Sequence, residues 1–269
     1  MKKNVTFETK CYENDWKYIL KTSYLEKLFF NNKYDFAFKQ LIINNVKNRE
    51  EVEKYAKIKV KNKIIDAYYF TEDTENEVLD FFKINKQSFN GGFYYSISEL
   101  TGIYKCSTKY LLHFSSDAFP YKNTNLKEWI DSFIKNNNEN NNYIISTLIW
   151  NNKINEVIKE SANHIPNFYI AQGFSDQCYL IEVNEFKKDI YNENNYFSNR
   201  YPKYGGELFE KRVDAYMRNH DKIRLISDKY AYVHENFPKK GIKKLIFNFF
   251  CYTNLFLFTR FIRGNYREE

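Results

Sequence analysis

Lys109-Tyr-Leu-Leu-His-Phe-Ser-Ser-Asp117 is an apolar run that stops abruptly in two serines and a carboxylate. It predicts a strand feeding an acidic turn. In open α/β sheets, ligands bind outside the carboxyl ends of the strands, and a carboxylate there suits a hard cation with oxygen ligands. Asp117 is therefore the first candidate site residue, against the ordinary alternative of an aspartate that only caps a turn.

The flanking chain fits the same reading. Residues 4–9 alternate as a strand, and residues 15–30 carry apolar side chains at helical spacing. Residues 36–43 form a second apolar run ending at Asn44-Asn45, and residues 49–58 again read as helix. A third strand at residues 67–70 precedes the acidic turn Thr71-Glu-Asp73. Strand followed by helix, repeated, implies parallel strands joined by crossovers. After the loop signal Asn90-Gly-Gly92 comes a helix over residues 94–105.

Downstream, the asparagine-rich residues 136–142 read as an exposed turn or flexible loop. Strands are expected at 143–149, at 178–181 after the polar turn Phe174-Ser-Asp-Gln177, and at 230–233, which runs into His234. A helix over residues 207–219 follows Gly205-Gly206. The organisation expected is one catalytic domain over residues 1–238, with a nucleotide half at about 1–135 and an acceptor half at about 143–238. Residues 239–269 form a separate tail.

Composition narrows the class. Hydrophobic residues at 43% and charged residues at 28% are ordinary for a globular chain of 269 residues. The four cysteines form no CxxC pair and follow no secretory signal, so reduced thiols in a cytoplasmic protein are expected. The four histidines show no HExxH spacing, which argues against zinc hydrolysis. Net charge is +7, yet residues 239–269 hold seven basic against two acidic residues, leaving the body near neutral. A nucleic-acid binder spreads basic residues over its groove-facing body, so no nucleic-acid partner is expected.

Taken in order, these features resemble the GT-A-fold glycosyltransferases over roughly residues 5–237. The resemblance implies a Rossmann-like, mostly parallel central sheet flanked by helices, and transfer of a sugar from a nucleotide-sugar donor, a UDP-sugar by family frequency. It implies that Thr9 and Tyr12 after the first strand, and Asn44 and Asn45 after the second, meet the nucleotide. The family's Asp-x-Asp motif appears here as Ser115-Ser116-Asp117, which keeps only the last acid. Asp117 would then bind the Mn²⁺ or Mg²⁺ that bridges the donor diphosphate, with His234 as a second metal or phosphate contact.

The family's acidic motif at a helix start corresponds to Gly205-Gly-Glu-Leu-Phe-Glu-Lys-Arg212. A carboxylate there takes the acceptor hydroxyl proton in an inverting transfer. Glu207 and Glu210 both fit that place, and a solvated helix N-terminus explains either acid as well. Asp176, beside Gln177, is the acceptor-side candidate, because an acid and an amide side by side can accept from and donate to sugar hydroxyls; a cap of the following element explains Asp176 equally well. Arg200, Lys203 and Arg212 are candidates to neutralise the leaving diphosphate, and Tyr94, Tyr95 and Trp150 to stack on a sugar.

Four lysines before a Phe-rich run and arginines after it fit a segment lying in an anionic membrane interface. A C-terminal helix docked on the body competes with that reading. The expected role is a bacterial transferase on the inner face of the cytoplasmic membrane. It would extend a glycan or lipid-linked acceptor in surface polysaccharide or lipooligosaccharide assembly. Two other functions remain open: a non-catalytic glycan-binding or scaffold protein on a decayed transferase fold, consistent with the missing first acid, and a nucleotidyltransferase. The latter's glycine-rich basic signature is absent from Thr9-Lys-Cys-Tyr-Glu-Asn14.

Overall fold

The structure, a computed structural model, describes residues 4–32, 34–121, 124–150, 154–201, 206–234, 237 and 241–253. The chain runs β1 (Val5–Cys11), α1 (Trp16–Lys21), α2 (Tyr24–Asn32), β2 (Phe38–Ile43), α3 (Arg49–Lys61), β3 (Ala67–Phe70), α4 (Thr71–Phe81), α5 (Phe93–Lys105) and β4 (Tyr110–Phe114). It continues through β5 (Ala118–Pro120), α6 (Leu126–Glu139), β6 (Tyr143–Trp150), α7 (Ile154–Glu160), β7 (Asn163–Ile165) and β8 (Phe168–Ala171). The last elements are β9 (Cys178–Glu182), α8 (Val183–Phe186), α9 (Phe209–Asn219), β10 (Ile223–His234) and α10 (Gly241–Thr253).

Ten strands form one sheet in the order β3-β2-β1-β4-β9-β6-β10-β8-β7, with β5 added to β10. The first four in that order are parallel. Beyond them the sheet is mixed, because β9 runs antiparallel between β4 and β6, and β5 and β8 run antiparallel to β10. Side chains alternate between sheet faces, and the apolar ones separate accordingly. Tyr110, Leu112 and Phe114 join one core cluster with Val5, Phe7, Leu41 and Trp129. Leu111, Tyr179 and Ile181 join the other, with Ile97, Leu100 and Val213 of α5 and α9. Both clusters draw residues from either side of 136–142.

Four local expectations meet a different structure. The pattern over residues 15–30 is two helices, broken where the Thr22 hydroxyl accepts from the Tyr24 amide at 3.1 Å. Thr71-Glu-Asp73 is the first turn of α4, where acids oppose the positive end of the helix dipole. Asn136 to Glu139 close α6, and Asn137 is buried because its amide joins the Tyr110 hydroxyl at 2.9 Å to the Tyr143 carbonyl at 2.9 Å. The last strand begins at Ile223, well before Tyr230, since its first half pairs with both β6 and β8.

The face beneath α5 is polar where the other face is apolar. Parallel register sets Glu8 between Gln40 and His113, and His113 lies opposite Tyr179. All four are fully buried. Gln40 Nε2 donates to Glu8 Oε2 at 2.5 Å and to the Gly102 carbonyl of α5 at 3.0 Å. His113 Nδ1 lies 2.8 Å from Glu8 Oε1, and its ring stacks on Tyr179 with centroids 4.6 Å apart. Burial raises the Glu8 carboxyl from 4.5 to about 8 and pushes His113 well below its ordinary value. At neutral pH the two are therefore a carboxylic acid and a neutral imidazole.

Two predictions follow from this layer. A Cβ at Gly102 would lie 1.9 Å from Glu8 Oε2. Alanine gains about 1 kcal/mol of helix propensity, but overpacking costs about 1–3 kcal/mol, and a buried carboxyl at that distance makes the cost dominate. Gly102→Ala should lower the urea midpoint with its slope unchanged, and an unchanged midpoint would contradict the packing. A carboxyl whose folded pKa is raised contributes most below its unfolded value of 4.5, and that contribution is lost as pH rises through about 8. The fall in melting temperature across that window should be smaller in Glu8→Gln than in wild type; equal falls would reject the neutral assignment.

Candidate active site

Strand β4 ends at Phe114, and the chain turns at once: the Ser115 amide donates to the Gln177 carbonyl at 2.9 Å and the Ala118 amide to the Ser115 carbonyl at 3.0 Å. The turn delivers the chain into β5, where Ala118 pairs with His234 at the end of β10. This pairing brings two residues distant in sequence together. His234 Nε2 lies 3.2 Å from Asp117 Oδ1, with each side chain 17% exposed. Ser115 Oγ donates to the same carboxylate oxygen at 3.2 Å. The Trp150 ring stands edge-on to His234 with centroids 6.0 Å apart.

The serines also tie in a residue that the sequence reading passed over. Ser116 Oγ donates to Asp15 Oδ2, and the Tyr12 amide donates to Asp15 Oδ1 at 2.7 Å. Asp15 is fully buried, and burial raises its carboxyl to about 8 despite these bonds, with the charge of Asp117 adding to the rise. The β1–α1 corner is thus fastened directly to the Asp117 turn.

A second cluster lies on the polar face, one alternation beyond Glu8. Lys10 Nζ bonds to Glu99 of α5 and lies 3.7 Å from Asp176 Oδ2. Burial alone would lower the Lys10 ammonium; the charges of Glu99 and Asp176 outweigh it and hold the pKa above the ordinary value, with Asp117 contributing. Glu99, fully buried, is raised by its burial. The Asp176 amide donates to Glu210 Oε1 at 2.8 Å. Burial, and then the charge of Asp176, raise the Glu210 carboxyl well above its ordinary value.

Glu207 and Glu210 part company here. Glu207 pairs with Lys211 at 2.7 Å, its amide donates to the Phe89 carbonyl at 2.8 Å, and it lines a separate cleft of about 380 Å³ with Ser88, Asn90, Asn192 and Arg212. Only Glu210 reaches Asp176.

The remaining candidates divide by accessibility. Tyr12 is 41% exposed at the edge beyond β1, and Tyr94 and Tyr95 at the start of α5 are exposed too. Asn44 is buried and structural: its amide donates to the Tyr94 carbonyl at 2.8 Å and accepts from the Thr71 hydroxyl at 3.0 Å. Asn45 is exposed in the left-handed region at φ 50, its amide donating to Glu72 at 2.8 Å.

Two candidates need correcting. Thr9 is fully buried within β1, two residues short of the strand end and between Leu41 and Phe114, so its side chain meets the core instead of a nucleotide. Arg212 is buried and committed to the Tyr191 carbonyl at 2.6 Å and the Ser88 hydroxyl at 2.7 Å, which leaves it structural. Arg200 lies 3.6 Å from Asp214. Lys203 lies outside the described residues.

Among the described residues no group of three or more His, Cys, Asp and Glu side chains could hold a metal ion. Asp117 and His234 offer one carboxylate and one imidazole. That donor set fits Mg²⁺ or Mn²⁺ where substrate phosphates and water supply the other ligands, since such ions are commonly held through one or two carboxylates plus phosphates.

No protein-family model and no curated protein sequence matches the chain. Solved structures do match. Mouse xyloside xylosyltransferase 1, in its apo form, is 10% identical with a TM-score of 0.47, the match covering 83% of this chain and 85% of that one. Glucosyl-3-phosphoglycerate synthase from Mycobacterium tuberculosis, in complex with Mn²⁺, UDP and glucosyl-3-phosphoglycerate, is 12% identical with a TM-score of 0.44, covering 98% and 81%. GalNAc-T7 with UDP, GalNAc and Mn²⁺ is 10% identical with a TM-score of 0.49, covering 86% of this chain and 43% of that one. Each is a similarity in the path of the chain.

Proposed function

We propose that this chain is a GT-A-type glycosyltransferase that moves a sugar from a nucleotide-sugar donor to a glycan or lipid-linked acceptor. One observation carries the reading: the Asp117–His234 pair, 3.2 Å apart, and the Lys10–Asp176–Glu210 cluster lie at the same carboxyl edge of the sheet, close enough for Lys10 to respond to both Asp117 and Asp176. Exposed Tyr12, Tyr94 and Tyr95 border that edge and suit a nucleobase or sugar face. A bound Mn²⁺ or Mg²⁺ would be held by Asp117 and His234 and would supply positive charge to the donor diphosphate.

The transfer assigned to these residues is inverting. The acceptor hydroxyl oxygen bonds to the anomeric carbon, the bond from that carbon to the diphosphate oxygen breaks, and the diphosphate leaves with the electron pair. The hydroxyl proton passes to Asp176. Asp176, at 33% side-chain exposure, is open to an acceptor, whereas Glu210 Oε1 is already committed to the Asp176 amide at 2.8 Å. Glu210 is a positioning residue that fixes the Asp176 amide. The base is therefore assigned to Asp176 in preference to Glu207 or Glu210. UDP-sugars are the first donors to test. Acceptors of surface polysaccharide or lipooligosaccharide assembly at the inner membrane face suit the basic, Phe-rich C-terminal segment.

A thermal-shift panel of UDP, GDP, CMP and ADP, with and without Mn²⁺, tests the donor. A cognate nucleotide at about a hundred times its dissociation constant should stabilise the fold by ~2.7 kcal/mol, and Asp117→Ala should remove the Mn²⁺-dependent part. A flat panel at saturating nucleotide would favour the non-catalytic reading. Once a donor and acceptor are in hand, Asp176→Asn should lower turnover by about 10² or more, as loss of a general base does. Glu207→Gln should stay near wild type. Wild-type turnover by Asp176→Asn, or a product that retains the anomeric configuration, would reject the assignment.

A further inference from the structure

Asp15 precedes the first turn of α1 as its cap, yet its side chain makes no capping bond to that helix. An aspartate in this place ordinarily accepts from one of the first free amides of its own helix. Here the two oxygens go elsewhere. Oδ1 accepts from the Tyr12 amide at 2.7 Å, back along the chain, and Oδ2 accepts from Ser116 Oγ, 101 residues away in sequence. The residue is fully buried. A buried acid that leaves its own helix uncapped and bonds two other segments fixes those segments relative to each other.

The turn at residues 115–117 is clasped a second time from the same stretch of chain. Tyr24, the first residue of α2 and fully buried, donates its hydroxyl to the Ser116 carbonyl at 2.5 Å. Ser116, 4% exposed, is therefore held through its hydroxyl by Asp15 and through its carbonyl by Tyr24. Its neighbour Asp117 faces His234 at the partly open edge, while Tyr12, whose amide Asp15 holds, is 41% exposed. Burial raises the Tyr12 hydroxyl, and the charge of Asp117 adds to the rise, so ring and turn are electrostatic neighbours.

We propose that Asp15 is a positioning residue: by bonding Tyr12 and Ser116 at once, it sets the spacing between the exposed Tyr12 ring and the Asp117–His234 pair, so that a nucleoside diphosphate and its divalent cation bind as one unit. The inference rests on the nucleotide-sugar reading above. A nucleotide that stacks its base on Tyr12 and brings its phosphates to Asp117 and His234 meets both only at one separation, and a separation fixed in advance spares the ordering cost at binding. Asp15 itself is no cation ligand, because both oxygens are occupied and the residue is buried.

Titration calorimetry with UDP, with Mn²⁺ and with both, on wild type, Ser116→Ala, Asp15→Ala and Asp15→Asn, tests the proposal. The quantity read is the factor by which Mn²⁺ tightens UDP, which by linkage equals the factor by which UDP tightens Mn²⁺. Ser116→Ala and Asp15→Ala should lower that factor at least ~5-fold, with affinity for UDP alone less affected. Asp15→Asn, whose amide oxygen still accepts from the Tyr12 amide and whose NH₂ can bond to Ser116, should keep the wild-type factor. Ser116→Ala decides the matter should Asp15→Ala fail to fold. A merely structural role weakens UDP alone and UDP with Mn²⁺ alike and leaves the factor unchanged. That result, beside Mn²⁺-assisted UDP binding in wild type, overturns the positioning role and leaves the nucleotide reading standing. A factor as low in Asp15→Asn as in Asp15→Ala overturns it as well. No UDP binding by wild type, with or without Mn²⁺, overturns both.

Discussion

Parallel pairing of β1 with β4, from Val5 opposite Tyr110 to Thr9 opposite Phe114, makes both strands finish at the same edge of the sheet. Everything at the candidate site depends on that shared ending. It sets the β1–α1 corner with Asp15 against the serine turn after β4, so that Ser116 can bond to Asp15. The antiparallel strand β5 then carries the same turn to β10, which is what places His234 against Asp117. A one-residue slip of β1 against β4 would send Glu8 and Lys10 to the apolar face and Phe7 to the polar one.

The polar face of β1 turns that alignment into a graded electrostatic path. Deepest under α5, Glu8 and His113 avoid the cost of buried charge by staying neutral. One alternation nearer the edge, Lys10 is charged, and Glu99 with Asp176 compensates it. At the edge, Asp117 and His234 are partly open to solvent. Charge therefore increases toward the surface where a ligand would arrive. Beside Asp176, the Glu210 carboxyl is raised by its burial and then by that neighbouring charge, as adjacent carboxylates require.

Local patterns in the sequence were enough for β1 to β4 and for helices α3 and α5, because alternation and 3.6-residue spacing are local signals, but the break at Thr22 and the helix α4 were not read. Asp117 was legible for the same reason: an apolar run ending in small residues and an acid announces a strand end. His234 was legible as a strand end, but its approach to Asp117 depends on the β5–β10 pairing, a contact across more than a hundred residues. Lys10 and Glu99 were not read at all. The signal for Lys10 was present, since Glu8 and Lys10 alternate with Phe7 and Cys11, but charged residues on one face of a strand ordinarily mean solvent, and here that face lies under α5. Thr9 failed for the converse reason: a strand-end position was assigned two residues early. The choice between Glu207 and Glu210 needed the direction in which α9 begins, and no spacing rule supplies it.

The central claim is that the carboxyl edge around Asp117 and His234 receives the diphosphate of a nucleotide-sugar. Hydrogen exchange of the full chain, with and without saturating UDP and Mn²⁺, tests it most directly. Exchange should slow in residues 12–16, 115–118 and 232–234, while α7 and β7 remain unchanged. Slowing confined to the cleft around Glu207 and Arg212, or no change at saturation, would contradict the account.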